Sequence, residues 1–361
     1  MQTTPSRVVI GMSGGVDSSV AAYLLKQAGY DVVGITMKVW LQDCIAQAQD
    51  ACCGPSAITD ARAVAHTLGI PHYVVDESLD FEKEVIGYFT AEYRAGRTPN
   101  PCILCNEKVK FGNLWTKARS LGAEFIATGH YALIDRNEDG HCVLRKGADA
   151  RKDQSYFLFS LSQEQLRRSL MPLGGMSKPE IREIARRLGL KVADKADSQE
   201  ICFVPGNDYK AFLRDRLGEA GFQPGGIYSK EGKRLGDHDG VELFTIGQRK
   251  GLPGGSPRPL YVIDIDPATR RVIVGDADDL TQAEFEIERC SWPGGEPSAP
   301  FEANIKIRST HPGADATVYP LGEGKAHVRL HTPQRAVTPG QAAVCYNGDR
   351  VLGGGWIART L

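Results

Sequence analysis

The residues best suited to chemistry lie near the N-terminus, in the run SGGVDSS at residues 13–19. Consecutive glycines let a backbone approach a phosphate group closely and turn its amide hydrogens towards it. The run follows an apolar segment and opens a segment of helical spacing, so the helix N-terminus would add partial positive charge. Its serine hydroxyls are further donors, and Asp17 could orient the loop or help to hold Mg²⁺. The run therefore predicts a loop that binds nucleotide phosphates.

This loop differs from two common nucleotide-binding motifs. It lacks the Gly-Lys-Ser/Thr of a Walker A loop, and the chain contains no G-x-G-x-x-G fingerprint of dinucleotide-binding domains. It resembles instead the PP-loop of the ATP pyrophosphatases, which cleave ATP between the α and β phosphates and adenylate a carbonyl oxygen. A glycine-rich start of a helix with a serine cap is the simpler alternative.

Cysteine spacing marks a second centre. Cys102 and Cys105 form a CxxC pair just before a predicted helix, whose N-terminus would favour the Cys105 thiolate, and Cys202 lies far downstream. These residues allow a redox pair, half of a zinc site, a sulfur-transfer pair of Cys105 with Cys202, or simply buried thiols. Zinc is weakly supported because a second CxxC or a paired His cluster is absent. The other six cysteines are expected to be structural or spare thiols: Cys44, Cys52, Cys53, Cys142, Cys290 and Cys345.

Both centres need a scaffold that brings distant segments together. Up to about residue 135, apolar runs alternate with segments of helical spacing, which is typical of a parallel sheet with helices on both faces. Such sheets bind ligands at the carboxyl ends of their strands, where the loop at residues 13–19 lies. The predicted strands are Val8–Met12, Asp31–Val39, His72–Asp76 and Phe125–Thr128. The predicted helices are Ser18–Ala28, Ala57–Leu68, Phe81–Tyr93, Lys108–Leu121, Gln163–Leu170, Lys178–Leu188 and Tyr209–Leu217.

From about Gly225 the chain changes to short β-rich runs separated by Gly, Pro and Asp, which is typical of small antiparallel sheets and barrels. We therefore predict an α/β fold in three domains. A doubly wound parallel-sheet PP-loop domain is expected at residues 1–206, a small β-rich central domain at residues 207–280, and a C-terminal antiparallel β-barrel at residues 281–361.

Composition narrows the function classes. The chain of 361 residues has 42% hydrophobic and 24% charged residues, which is ordinary for a globular protein. No apolar run approaches the roughly 18 residues of a membrane helix, and the N-terminus lacks a signal-peptide layout, so we predict a cytoplasmic protein without a membrane partner. A net charge of −1 argues against a nucleic-acid coat protein, although one basic face is enough to bind RNA phosphates.

Seven ordered motifs resemble those of the MnmA family of bacterial tRNA-specific 2-thiouridylases and span nearly the whole chain. They are SGGVDSS at 13–19, GRTPNPxxxCN at 96–106, ATGHY at 127–131, KDQSYFL at 152–158, DSxxICF at 197–203, GQRKGL at 247–252 and VTPGQ at 337–341.

The resemblance implies specific site residues. ATP is expected on Gly11, Met12, Ser13, Gly14, Gly15, Val16, Asp17 and Ser18, with adenine contacts near Met37 and at Gly129. Transfer RNA is expected on Asn100, Pro101 and Cys102 beside the target base, and on Lys152, Asp153, Gln154, Arg308 and Ser309 elsewhere. Cys105 and Cys202 are the implied catalytic residues.

The implied reaction is the 2-thiolation of the wobble uridine in the tRNAs for Lys, Glu and Gln. ATP, with Mg²⁺, adenylates the C2 oxygen, and sulfur from a persulfide on Cys202 reaches C2, directly or after Cys105 releases it as sulfide. The implied partners are tRNA and a sulfur-donor protein such as a cysteine desulfurase or relay.

One residue departs from the family pattern. Many members have Asp where this chain has Cys102, and a thiol does not reproduce a carboxylate. Cys102, Cys105 and Cys202 together are candidate ligands for a 4Fe-4S cluster with one open iron, which could bind a transferable sulfide. A persulfide relay and cluster-bound sulfide therefore both stay open.

Other function classes are a PP-loop enzyme acting on a different RNA base or a small molecule, and a non-catalytic nucleotide-binding protein. An amidotransferase-type synthetase would need a glutaminase element, which the chain does not show. A non-catalytic protein would not need the pair of Cys105 and Cys202.

Overall fold

The computed structural model describes residues 5–39, 55–138, 140–196, 201–254 and 258–361. The chain forms two units, described separately below. The first comprises Met1–Val85, Cys102–Asn207 and Asp349–Val351, and the second comprises Ile86–Pro101, Asp208–Gly348 and Leu352–Leu361. The predicted domain bounds at residues 206 and 280 stay a prediction.

A parallel sheet forms the centre of the first unit, as predicted. Its strands are β1 (Arg7–Gly11), β2 (Asp31–Lys38), β3 (His72–Asp76), β4 (Phe125–Ala127) and β7 (Ser169–Leu170). They lie in the order β3-β2-β1-β4-β7, and β1 pairs in parallel with both β2 and β4. The strand order changes direction between β1 and β4, which is the switch point where sheets of this kind bind ligands.

The helical segments of the first unit lie between these strands. They are α1 (Val16–Gln27), α2 (Pro55–Leu68), α3 (Ser78–Phe81), α5 (Pro101–Leu104), α6 (Leu114–Ser120), α7 (Gln163–Arg167) and α8 (Lys178–Arg187), with π-helical turns at Glu82–Ile86 and Cys105–Asn113. A hairpin of β5 (Ala132–Arg136) and β6 (Cys142–Lys146) was not predicted.

The core of this unit follows from the apolar spacing in the sequence. Val8 and Ile10 of β1 are buried against Val20 and Ala21 of α1, and α2 and α8 contribute further residues to the same cluster, among them Val64. Burial of apolar surface at roughly 25 cal/mol per Å² is the main contribution to the stability of such a core.

The predicted helix Gln163–Leu170 is wrong in its last turn. The helix α7 ends at Arg167, and Ser169–Leu170 form the edge strand β7, which pairs with Ile126 and Ala127 of β4. Two ladder pairs on the sheet edge thus replace the last helical turn, and the apolar spacing of so short a segment fits either state.

The second unit contains a helical part and two β structures. The helices are α4 (Gly87–Arg94) and α9 (Tyr209–Leu217). The central sheet has the order β10-β11-β8-β9, with β8 at Gly225–Ser229, β9 at Arg234–His238, β10 at Tyr261–Asp266 and β11 at Arg271–Gly275. Short 3₁₀ turns occur in both units, at Ser155–Leu158, Pro205–Asn207, Glu219–Gly221, Val241–Leu243 and Asp278–Leu280.

The C-terminal strands of the second unit form the predicted antiparallel barrel. They are β12 (Thr281–Ser291), β13 (Phe301–Lys306), β14 (Ala314–Gly322), β15 (Lys325–Arg335), β16 (Ala342–Asn347) and β17 (Arg350–Thr360). The order β12-β15-β14-β13-β16-β17 closes through pairing of β12 with β17. Alternate residues such as Ala316, Val318, Val328 and Leu330 fill the interior, because successive side chains of a strand point to opposite faces.

In the ranges that the structure describes, no helix is both long enough and apolar enough to cross a membrane.

Candidate active site

The glycine-rich loop lies at the carboxyl end of β1 and leads into α1, as the sequence predicts. The Ser18 hydroxyl accepts a hydrogen bond from the Ser13 amide at 3.2 Å, and the Ser19 hydroxyl donates to the Gly15 carbonyl at 2.7 Å. Gly14 has a φ of +68°, which glycine adopts without strain. These bonds hold the loop in a turn in front of the helix N-terminus, an arrangement suited to an anion.

Asp17 is held by two distant side chains. Lys178 Nζ of α8 lies 2.7 and 2.8 Å from its two carboxylate oxygens, and the Tyr131 hydroxyl donates to it at 2.6 Å. The Lys178 side chain is only 9% exposed and the Asp17 side chain 32% exposed. Of the two roles considered for Asp17, this geometry favours orienting the loop, because both carboxylate oxygens already accept from protein donors.

A second lysine braces the same loop. Lys195 Nζ donates to the Gly14 carbonyl at 3.2 Å and pairs with Asp60 of α2 at 2.7 Å. Sequence reasoning missed both lysines because they lie more than 160 residues beyond the loop. The basic residue at the capped start of α8 was visible in the sequence, but only the fold directs it at Asp17.

We expect Lys178→Met to destabilise the protein and weaken ATP binding. Removing one partner of a fully buried ion pair costs about 3–5 kcal/mol. Since Asp17 is one-third exposed, water compensates part of this, and we expect a loss of about 1–3 kcal/mol in the free energy of unfolding. Urea unfolding and ATP titration would measure the two effects.

The control for that variant is Lys83→Met, which removes an exposed ion pair with Glu84. The change should leave the urea midpoint and the ATP affinity nearly unchanged, because exposed pairs contribute little. Equal effects of both substitutions would contradict the bracing role of Lys178.

Gly129 approaches the loop from the end of β4. A Cβ atom on this residue would lie 2.7 Å from the Ser18 amide nitrogen, so only glycine fits here. The neighbouring His130 is buried and lies 2.8 Å from the Thr128 hydroxyl, and burial holds its pKa well below the ordinary range, with Lys110 contributing. His130 is therefore neutral near pH 7 and structural. Met37 is half-buried near the end of β2, the neighbour of β1 in the sheet.

The KDQ motif has two internal roles in the structure. Asp153 accepts from the Gly147 and Ser155 amides at 3.0 and 3.1 Å, and Gln154 exchanges two hydrogen bonds with the Tyr131 backbone. Both residues thus position the chain around Tyr131, the partner of Asp17. Their predicted contacts with tRNA stay predictions.

Lys152 lies instead on a basic cavity of about 540 Å³. The cavity is lined by Asp149, Arg151, Lys152, Lys178, Pro179, Arg182 and Arg186. Five of these seven residues are cationic, which suits a phosphate group. Because Lys178 contributes to this cavity and also contacts Asp17, the cavity adjoins the bracing of the glycine-rich loop.

The structure corrects the sequence prediction for the first cysteine pair. The helical stretch begins at Pro101, so Cys102 lies in its first turn and Cys105 in the second. The favourable effect of a helix N-terminus on a thiolate fades beyond the first turn. That argument therefore applies to the exposed Cys102 and not to the half-buried Cys105. Cys105 is followed by the buried Asn106, whose amide donates to the Phe157 carbonyl at 3.0 Å.

Cys202 is half-buried and is placed by its neighbour. Phe203 is 1% exposed and packs edge-to-face on Phe81 with ring centroids 5.8 Å apart. The Val204 amide bonds to the Ile201 carbonyl, which turns the chain at this point. The first half of the DSxxICF motif, at residues 197–200, lies outside the described residues.

The three cysteines do not form a metal site in this structure. Among the described residues, no group of three or more His, Cys, Asp or Glu side chains is close enough to hold a metal ion. Cys102, Cys105 and Cys202 all belong to the first unit, yet they do not converge into the donor set that a 4Fe-4S cluster requires.

The remaining predicted site residues belong to the second unit. Asn100 is half-buried and lies directly before the helical turn that begins at the buried Pro101. Arg308 is exposed at the end of β13, with Nη1 3.4 Å from the Arg335 carbonyl, and Ser309 is half-buried.

Of the other described cysteines, two are buried and the half-buried Cys290 packs against the barrel core. Cys142 and Cys345 are buried, and burial raises the pKa of Cys290 to about 12. These three agree with the structural role expected for them. Cys44, Cys52 and Cys53 lie outside the described residues.

Three family models match the chain: the tRNA methyl transferase HUP domain at residues 6–206, the tRNA methyl transferase PRC-barrel domain at residues 210–276, and the aminomethyltransferase β-barrel domain at residues 282–357. Among solved structures, NMN synthetase from Francisella tularensis aligns at a TM-score of 0.33 and 17% identity over 60% of this chain and 87% of that chain. A likeness this weak carries no argument.

Curated relatives are much closer. The tRNA-specific 2-thiouridylase MnmA of Geobacter metallireducens is 50% identical, with 97% of this chain and 96% of that protein covered. The tRNA-specific 2-thiouridylase MnmA 1 of Caldanaerobacter subterraneus subsp. tengcongensis is 49% identical, with 98% of both chains covered. The chain is therefore a member of the MnmA family of tRNA-specific 2-thiouridylases.

Proposed function

We propose that this protein is a tRNA-uridine 2-sulfurtransferase, which uses ATP and a cysteine-bound sulfur to convert the wobble uridine to 2-thiouridine. The observation that carries the proposal is that one unit contains both a braced PP-loop at the sheet switch point and two half-buried cysteines, Cys105 and Cys202. The names of the relatives support the same reaction. The methyl transferase wording of the family models has no comparable support, since the curated relatives that cover nearly the whole chain are named thiouridylases.

The first step activates the base. ATP phosphates bind the amides and hydroxyls of the glycine-rich loop, and the C2 oxygen of uridine attacks the α phosphate, so that pyrophosphate leaves. Adenylation converts a poor leaving oxygen into AMP, a good leaving group. Asn100, Pro101 and Cys102 contact the target base in this proposal, and Lys152 and Arg308 hold tRNA phosphates, with Ser309 beside Arg308.

The second step transfers sulfur. Cys202 carries a persulfide supplied by a sulfur-donor protein, and its terminal sulfur bonds to C2 while AMP leaves. The Cys105 thiolate then attacks the Cys202 sulfur, which frees 2-thiouridine and leaves a Cys105–Cys202 disulfide. If Cys105 attacks first, the persulfide releases sulfide, which adds to C2 with the same loss of AMP. Either order needs a thiol reductant to restore the two cysteines.

Mg²⁺ has a place in the proposed reaction, whereas an iron–sulfur cluster does not. Mg²⁺ would accompany the ATP phosphates, and the proposal assigns Asp17 to orienting the loop, because Lys178 and Tyr131 already donate to its carboxylate oxygens. The described cysteines do not fit an iron–sulfur cluster, so we derive no step through one.

The test is mass spectrometry of nucleosides from tRNA incubated with the protein, ATP, Mg²⁺, a cysteine desulfurase with free cysteine as the persulfide donor, and a thiol reductant, with and without oxygen. We expect 2-thiouridine in the tRNAs for Lys, Glu and Gln under both conditions. Product only without oxygen, together with protein-bound iron, would restore the cluster route. Pyrophosphate release without a thiolated product would mean that the PP-loop acts on another acceptor.

A further inference from the structure

We propose that Gln341 is a positioning residue for the base-contact segment, which we define as residues 97–101. The segment carries Asn100 and Pro101, the residues proposed to contact the target base. The inference rests on the proposed function, and it gives a role to a residue that is not among the predicted site residues. Gln341 is the last residue of the VTPGQ motif, which lies directly before β16, so this motif would help to place the substrate.

The amide of Gln341 holds the segment directly before the base-contact residues. Its Nε2 atom donates to the Thr98 carbonyl at 2.9 Å and to the Pro99 carbonyl at 3.3 Å. The Thr98 amide donates to the Pro339 carbonyl at 2.8 Å. Since Pro99 has no amide hydrogen, these bonds satisfy the backbone donor and both carbonyls of Thr98 and Pro99.

Gln341 is itself fixed by the barrel. Its carbonyl accepts from the Ile357 amide of β17 at 2.8 Å, and the Gly340 amide donates to the Ile357 carbonyl at 2.9 Å. Ile357 is 1% exposed in the barrel core. Gln341 lies directly before β16, and these two bonds to β17 fix the backbone from which its side-chain amide extends.

Gly340 shows how closely the two segments approach. It has a φ of +91°, and a Cβ atom would lie 2.9 Å from both the amide nitrogen and the carbonyl oxygen of Thr98. Backbone thus packs on backbone here, which leaves no room for a side chain. A shift of the barrel turn would therefore displace Thr98, because close-packed groups transmit strain.

The N-terminal end of the segment is held by an ion pair. Arg97 donates to the two carboxylate oxygens of Glu92 at 2.7 and 2.6 Å, and Glu92 is 6% exposed in α4. The Arg97 amide also donates to the Glu92 carbonyl. The segment is therefore held by α4 at Arg97 and by Gln341 at Thr98 and Pro99. Asn100 follows directly after Pro99.

The geometry assigns Gln341 to placement of the base and not to ATP. A shift of about 1 Å in a positioning group can lower a rate about 100-fold. Gln341→Glu replaces the donor by a carboxylate that faces two carbonyl oxygens, while keeping the length of the side chain. We expect this variant to lower kcat/KM for tRNA about 10- to 100-fold, with an unchanged KM for ATP.

Two measurements test the inference. The first is the thiolation rate against tRNA and against ATP for the wild type, Gln341→Glu and Gln341→Ala. The second is hydrogen–deuterium exchange in a peptide covering residues 94–101, where the prolines leave Thr98 and Asn100 as the last two reporting amides. The matched control is Gln223→Glu, an exposed glutamine of the same unit. Both Gln341 variants should exchange faster in this peptide, and the control should match the wild type in both measurements.

The outcomes separate the possible failures. An unchanged hydrogen–deuterium exchange rate in both Gln341 variants would show that Gln341 does not hold the base-contact segment. Faster exchange with an unchanged kcat/KM for tRNA, or a raised KM for ATP, would overturn its role in base placement. A wild type that exchanges slowly at Thr98 but makes no 2-thiouridine would overturn the proposed function, and the base placement with it.

Discussion

Cys202→Ser is expected to abolish 2-thiouridine formation while leaving tRNA-dependent pyrophosphate release intact. A serine hydroxyl cannot carry a transferable sulfur, so the loss should be roughly 10⁴-fold or more, the scale seen when a covalent nucleophile is removed. In the proposed mechanism adenylation uses the glycine-rich loop, and the substitution changes a half-buried thiol by one atom. Nucleoside mass spectrometry and a pyrophosphate assay on the same reaction would measure the two steps separately.

The comparison with Cys105→Ser assigns the two cysteines. Cys105→Ser should also fail to form 2-thiouridine under multiple-turnover conditions. It should still carry a persulfide on Cys202, because it lacks only the thiol that attacks the Cys202 sulfur. Cys290→Ser is the control, since burial raises the pKa of Cys290 to about 12 and keeps it out of thiolate chemistry. Normal thiolation by Cys202→Ser would contradict the assignment.

Gly14→Ala is expected to lower both stability and ATP affinity strongly. A left-handed backbone costs a residue with a Cβ about 1–2 kcal/mol, and overpacking adds about 1–3 kcal/mol. Both apply, because Gly14 has a φ of +68° and a Cβ atom would lie 2.8 Å from the carbonyl carbon of Ala57. We therefore expect a loss of about 2–5 kcal/mol in the free energy of unfolding and a loop displaced from the phosphates.

Two glycines provide matched controls for this prediction. Gly29 has a φ of +85°, and a Cβ atom there would meet nothing within 4 Å, so Gly29→Ala should show the backbone cost alone and keep ATP affinity. Gly15 has ordinary backbone angles, and its Cβ would meet only the Ser13 hydroxyl at 3.5 Å, so Gly15→Ala should keep stability. Urea unfolding and calorimetric ATP titration of the three variants test the account, and equal losses in Gly14→Ala and Gly29→Ala would contradict it.

The sequence alone was sufficient to predict the features that depend on adjacent residues. The run at residues 13–19 predicts the phosphate loop because strand, glycines and helix follow each other directly. The same local logic predicted β3 and α9 with the bounds that the structure gives them. The barrel was predictable because short β-rich runs separated by Gly, Pro and Asp are typical of small antiparallel sheets and barrels.

The sequence was insufficient where distant groups meet. Lys178 and Lys195 brace the loop from far along the chain, and nothing in their local spacing indicates Asp17 or Gly14 as partners. The helix begins at Pro101, a first position where helices tolerate proline, and local spacing did not indicate this start. The first turn therefore contains Cys102, whereas the sequence predicts Cys105 near the N-terminus. The bonds from Gln341 to the base-contact segment join residues more than 240 positions apart.

The central claim is that sulfur on Cys202 becomes the sulfur of 2-thiouridine, and a single-turnover labelling experiment tests it most directly. The protein is loaded with ³⁴S persulfide, freed of excess sulfide, and mixed with tRNA, ATP and Mg²⁺ without any other sulfur source. The account predicts 2-thiouridine that contains ³⁴S, in an amount no greater than the persulfide loaded, and none from Cys202→Ser. Transfer of ³⁴S by the Cys202→Ser variant, or no transfer from a fully loaded wild type that still releases pyrophosphate, would contradict it.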